Sequence, residues 1–238
     1  MWHKLKAWVL TRYAYGDKGA VVHCYTDEFG QQAYFLHNIR SKTSPIRASM
    51  LLPFTPLQLV ATHSQGDTLN RVREASIIKP YYHLHTQPDL QAFSLYMAEL
   101  MRFLFQTTEV YPGLWTFVEN CLDTAESQKQ LNPHLSLWMT LHFLSISGYA
   151  IGEAPETDSG WLIQEGCWIR PATNDSIAGD ELKLMGLLQS TPLHEIELLL
   201  SSAKVRRGLL DKLVLYLRYH HPGMPALKSL DVLRSLFV

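Results

Sequence analysis

Between residues 4 and 79 the apolar positions come in short β-branched and aromatic runs divided by turn residues, with little helical periodicity. Residues 4–13, 20–26 and 31–38 are the first three runs. The breaks between them, Tyr15-Gly16-Asp17-Lys18-Gly19 and Asp27-Glu28-Phe29-Gly30, carry the turn residues that join a meander of hairpins. A polar segment, 40–47, precedes a fourth run at 51–62, in which Pro53 and Pro56 confine pairing to edges or bulges. The fifth run spans 69–78. Five such strands suit a small closed barrel, because closure removes the exposed edges that an open sheet would leave.

After Lys79-Pro80-Tyr81-Tyr82 the period changes. Leu90, Phe93, Leu95, Met97, Leu100, Met101, Leu104 and Phe105 recur at helical spacing behind Pro88-Asp89, which predicts a helix over about 89–106. Further helices are predicted at 113–128, at about 132–148 behind the N-cap and proline pair Asn132-Pro133, and at 175–189, 192–200, 204–220 and 225–236. The breaker-rich stretch 152–158, followed by the extended stretch 161–170 with Gly166 as its turn, predicts a short hairpin. The expected fold is therefore α+β: a five-stranded barrel domain over residues 1–80, then a helical domain over 81–238 with an inserted hairpin at about 161–170.

Charge sharpens this picture. Residues 1–80 hold ten Lys/Arg against five Asp/Glu, residues 89–203 hold four against fifteen, and residues 204–238 hold seven against two. The formal net charge of -1 thus hides a basic head and a basic tail, and a cationic patch is the electrostatic footprint of a polyanion. Periodicity does not separate an OB-fold barrel from an SH3-like one. The OB-fold is favoured by the placement of cations, because Arg40, Lys42 and Arg47 fall in the loop after the third strand, while Arg71 and Arg73 alternate on the fifth and so share a face. These five are the candidate DNA contacts, with Tyr34 or Phe35 as a stacking surface nearby; the alternative is that the cations only solubilise the barrel.

Motifs for other chemistries are missing. There is no G-x-S-x-G elbow, no phosphate-binding G-x-x-x-x-G-K-[ST] loop and no H-E-x-x-H among the eleven histidines. Cys24, Cys121 and Cys167 are an odd count without a C-x-x-C pair, which points away from a disulfide framework and towards a reducing compartment. No catalytic residue, metal or cofactor is expected. The first ten residues contain only a four-residue apolar run, too short for a secretory segment, and no run approaches a membrane span, so a cytoplasmic, nucleoid-associated protein is expected.

Several segments are similar to one known family. Lys4-Leu5-Lys6-Ala7-Trp8-Val9-Leu10, Tyr15-Gly16-Asp17-Lys18 and Val21-Val22-His23-Cys24-Tyr25-Thr26-Asp27-Glu28-Phe29-Gly30 resemble the amino-terminal barrel of the bacterial recombination mediator RecO. So do Arg40-Ser41-Lys42, Ile46-Arg47-Ala48 and Leu52-Pro53-Phe54-Thr55-Pro56-Leu57. Tyr216-Leu217-Arg218-Tyr219-His220-His221-Pro222-Gly223 and Leu227-Lys228-Ser229-Leu230-Asp231-Val232-Leu233 look like that family's closing segment. The resemblance implies an OB-fold joined to a helical domain, binding of single- and double-stranded DNA, and annealing of complementary strands. It also implies work with a RecR-type partner and with single-stranded-DNA-binding protein to load the recombinase, without a nucleotide. Many members carry a four-cysteine zinc site in the helical half; here only Cys167 stands beside Gly166, which implies that the site is lost and that the hairpin is its remnant.

Within this reading the helix at 204–220 is the expected partner site. Arg206, Arg207 and Lys212 flank Leu209, Leu213 and Tyr216, placing cations beside an apolar groove that would take the acidic, hydrophobic tail of the single-stranded-DNA-binding protein. The alternative is a core helix whose cations face water. For the whole chain, the alternative function is a protein–protein adaptor without annealing activity.

Overall fold

The computed structural model describes residues 1–17, 19–39, 41, 46–63, 69–155 and 158–235. The chain divides into two compact units, Met1–Leu122 and Asp123–Val238. The first contains strands β1 (Trp2–Tyr15), β2 (Gly19–Thr26), β3 (Gly30–Leu36), β4 (Pro56–Thr62) and β5 (Asn70–Ile77), then helices α1 (Tyr82–Thr86) and α2 (Pro88–Leu104) and most of α3 (Leu114–Gln128). The second holds α4 (Leu135–Ile146), β6 (Gly160–Leu162), β7 (Cys167–Ile169), β8 (Ser176–Ile177), α5 (Gly179–Ser190), α6 (Ala203–His220) and α7 (Leu230–Ser235).

The strands close in the order β1-β2-β3-β5-β4. All neighbours are antiparallel except β3 and β5, which pair in parallel through Tyr34 with Asn70 and Phe35 with Arg71. This is the five-stranded OB-type barrel that the sequence predicts. The period of two sorts its faces: Leu5, Ala7 and Val9 of β1, Val22 and Cys24 of β2 and Leu57 and Leu59 of β4 point into the core. Pro56 opens β4, where its missing N–H costs no ladder bond.

Outward residues of β1 meet two fates. Lys4 and Lys6 are exposed, whereas Trp8 is fully covered because Trp115 stacks on it at 4.8 Å and Tyr81 at 6.2 Å. Helix α2 and the segment after it close the same side of the barrel: Gln31 donates its side-chain amide to the Arg102 carbonyl, and the Tyr25 hydroxyl accepts from the Tyr111 N–H at 3.0 Å. Pro88 opens α2, and Asp89 accepts from the Leu90 N–H in the first turn.

In the second unit α4 is buried over Leu135–Leu141, and the Asn132 carboxamide accepts from the His134 N–H at its start. The hairpin is present as β6 and β7, and β8 joins it as a third strand inside the stretch expected to be helical from 175. The helix expected at 192–200 is instead a 3-10 turn, Leu193–Leu198, in which only Ile196 is buried. Without an apolar face to pack, a segment this short gains too little to hold an α-helix.

Candidate nucleic-acid interface

An outward row of side chains runs round the barrel by strand pairing: Tyr13 beside Val21, Val21 beside Phe35, Phe35 beside Arg71. The Arg71 N–H donates to the Thr62 hydroxyl at 2.9 Å, and Thr62 pairs with Trp2, which brings the row back to β1. Phe35 meets Tyr15 and His37 edge-on at 5.5 and 4.2 Å, forming an aromatic ledge at one end. Gly19 makes room for it, because a Cβ there would lie 2.6 Å from the Phe35 ring. Next to this row, Lys4 pairs with Val60 and Lys6 with Gln58. Among the described residues, Lys4, Lys6 and Arg71 have no carboxylate at ion-pair distance.

Arg73 sits differently. The ladder between β4 and β5 shifts between Val60, which faces Glu74, and Ala61, which faces Val72, so Arg73 is the extra residue of a bulge. The bulge keeps Arg71 and Arg73 both outward and re-aims Arg73 over the Trp2 ring, at 5.3 Å from its centroid. Its Nε donates to Glu74 Oε1 at 3.0 Å.

Of the other expected DNA contacts, Arg47 is exposed in the loop before β4, and the neighbouring Ala48 carbonyl accepts from the Arg12 guanidinium. Arg40 and Lys42 lie outside the described residues. Tyr34 cannot stack on a ligand: it points into the barrel with no exposed surface, and burial pushes its hydroxyl pKa up. The period of two decides this, since Tyr34 and Phe35 must face opposite ways and Phe35 is the outward one. The sequence reading missed Trp2, Lys4 and Lys6; their alternation around the inward Leu5 was the available signal.

The groove expected on α6 is closed. Leu209 and Leu213 have no exposed surface and Tyr216 is 6% exposed, because this face of α6 forms the core of the second unit. Lys212 pairs with Glu181 at 2.7 Å and donates to the Ser176 carbonyl. Arg206 bonds Ser201, whose hydroxyl also lies 2.8 Å from His134 Nε2; burial lowers the pKa of both Arg206 and His134, and the guanidinium adds to the shift of His134, to about 4. Only Arg207 of the expected set belongs to the exposed face, together with Lys204, Leu215, Arg218 and Tyr219.

The hairpin is held by aromatic contacts. Trp161 meets Trp168 edge-on at 5.2 Å and Tyr216 at 6.0 Å, and His220 Nε2 lies 2.9 Å from the Ile163 carbonyl. Gly166 has φ +63°, and a Cβ there would meet the His220 ring at 3.0 Å. Cys167 is exposed, whereas Cys24 and Cys121 are buried with thiol pKa values raised by desolvation. Among the described residues no group of three or more His, Cys, Asp or Glu is placed to hold a metal, and the side chains round Cys167 do not fit a zinc site.

Both parts of the chain match known proteins. The family model described as Recombination protein O N terminal matches residues 1–81, and the one described as Recombination protein O C terminal matches residues 85–231. A DNA repair protein RecO of Christiangramia forsetii is 27% identical, covering 98% of both chains. Another, from Porphyromonas gingivalis, is 25% identical with the same coverage, and one from Bacteroides fragilis is 27% identical over 96% of each. No helix among the described residues is long and apolar enough to cross a membrane.

Proposed function

Because the chain belongs to the RecO family of DNA repair proteins, we propose that it is a non-catalytic recombination mediator that binds single- and double-stranded DNA and anneals complementary strands. The observation that carries this reading is the outer face of the barrel, where strand pairing puts Arg71 near the exposed Trp2, exposed Lys4 and Lys6 follow along β1, and the exposed rings of Tyr13 and Tyr15 stand further along the same strand. Cations along such a face neutralise phosphates without reading sequence, and ring faces accept any base. Annealing needs no more than this: screening of two backbones, a raised local concentration of strands, and bases left able to pair. Arg47, exposed in the loop before β4, adds a further cation, and the sequence carries Arg40 and Lys42 just before it.

In this reading a RecR-type protein and single-stranded-DNA-binding protein are the partners, and together they load recombinase onto covered DNA. The exposed face of α6, with Arg207 and Arg218 beside Leu215 and Tyr219, supports docking of an acidic, hydrophobic tail there. The protein acts at the nucleoid and takes no cofactor.

The test is to mix the purified protein with complementary single strands, with and without magnesium, and to follow pairing and strand length together. Faster pairing with intact strands in both conditions is expected. No acceleration would leave an adaptor, and magnesium-dependent cleavage would make the protein a nuclease.

A further inference from the structure

We propose that Trp2 is the stacking platform for an unpaired nucleobase, held in place by Arg73, and that the Arg73–Glu74 pair makes this spot reject backbone phosphate. The inference rests on the DNA-binding reading above and deepens it by separating the part of the surface that takes bases from the part that takes phosphates.

Three features carry the assignment. Trp2 is 45% exposed on the outer face of β1, an indole that nothing in the barrel core requires. The guanidinium of Arg73 lies 5.3 Å from its ring centroid and fixes the ring by a cation–π contact, so little freedom is lost when a base stacks. The bulge that aims Arg73 at Trp2 also puts Glu74 on the outer face, 3.0 Å from Arg73 Nε. The local charge is therefore close to neutral. A phosphate brought here meets a carboxylate as well as a guanidinium, whereas a neutral base meets no such repulsion and stacks on the indole face that Arg73 does not cover. Lys4, two residues along β1, and Arg71, whose N–H bonds the Thr62 that pairs with Trp2, remain to hold the flanking phosphates.

A duplex keeps its bases stacked inside, so Trp2 contributes only to single strands. Arg73 is a positioning residue: it acts through the indole and makes no phosphate contact of its own. Base stacking on an aromatic residue is typically lost at a cost of about five- to a hundredfold in affinity per base.

Binding of the full chain to three labelled probes of equal length tests this: an oligothymidylate, an abasic strand and a duplex. Trp2→Ala should weaken oligothymidylate binding roughly tenfold and leave the abasic strand and duplex unchanged, and Trp2→Tyr should restore most of the loss. Arg73→Ala should weaken oligothymidylate binding without changing its salt slope. Glu74→Gln should raise duplex affinity. Equal losses on all three probes with Trp2→Ala would make the indole merely structural, and a flattened slope with Arg73→Ala would make Arg73 a phosphate contact; either result overturns the proposal. A wild-type protein that binds none of the probes would instead overturn the DNA-binding reading itself.

Discussion

Replacing Lys4, Lys6 and Arg71 together by Ala removes three exposed cations, none of which contributes an apolar side chain to the barrel core. Each phosphate neutralised on a single strand contributes about -0.7 to the slope of log affinity against log salt, so the variant's slope should be shallower by about 2. Between 50 and 200 mM salt, a change of about 0.6 in log concentration, the wild-type protein should therefore lose about sixteenfold more affinity than the variant. Fluorescence anisotropy with a labelled oligothymidylate at four or five salt concentrations gives both slopes. The loss should be similar for mixed-sequence strands, because phosphate contacts carry no sequence information. Parallel slopes for the two proteins would refute the assignment of these cations to phosphate, and would leave them as solubilising charges on the barrel.

Further outcomes follow from the second unit and the cysteines. Leu213→Ala should cost about 2–5 kcal/mol in urea or thermal unfolding, because Leu213 has no exposed surface, and should not change the salt slope of DNA binding. The pKa of His134 falls on folding from 6.5 to about 4, so the unfolded chain binds more protons between those values. Stability should drop as pH falls through that window, and His134→Gln should flatten the dependence in unfolding curves taken from pH 7 to pH 4. A water-soluble disulfide reagent should label one thiol of the native chain, Cys167, and all three after denaturation; fast labelling of Cys24 or Cys121 in the native protein would contradict their burial.

The strands, the change of period near residue 80 and most of the helices were legible because burial on one face imposes a period of two or of 3.6 on the sequence itself. The hairpin was legible from Gly166 and its aromatic flanks, and the family from segments at both ends. Local pattern also indicated that β5 carries outward cations. It could not reveal the bulge at Arg73, since a bulge is a mismatch between two strands and exists only in their pairing.

Tertiary structure decided which outward residues remain available. Trp8, Tyr25 and Gln31 face outward by period, as Trp2 and Phe35 do, yet α2, Tyr111 and Trp115 cover that end of the barrel. It also decided that the apolar stripe of α6 is core rather than groove: amphipathicity predicts that a helix face is buried, but only packing determines against what. The sequence by itself determined element types, inward and outward positions and the excess of cations at both ends, because those follow from backbone period and composition. The covering of one barrel face, the placing of Arg73 over Trp2 and the closing of α6 depend on contacts between residues distant in sequence, and those only the folded chain supplies.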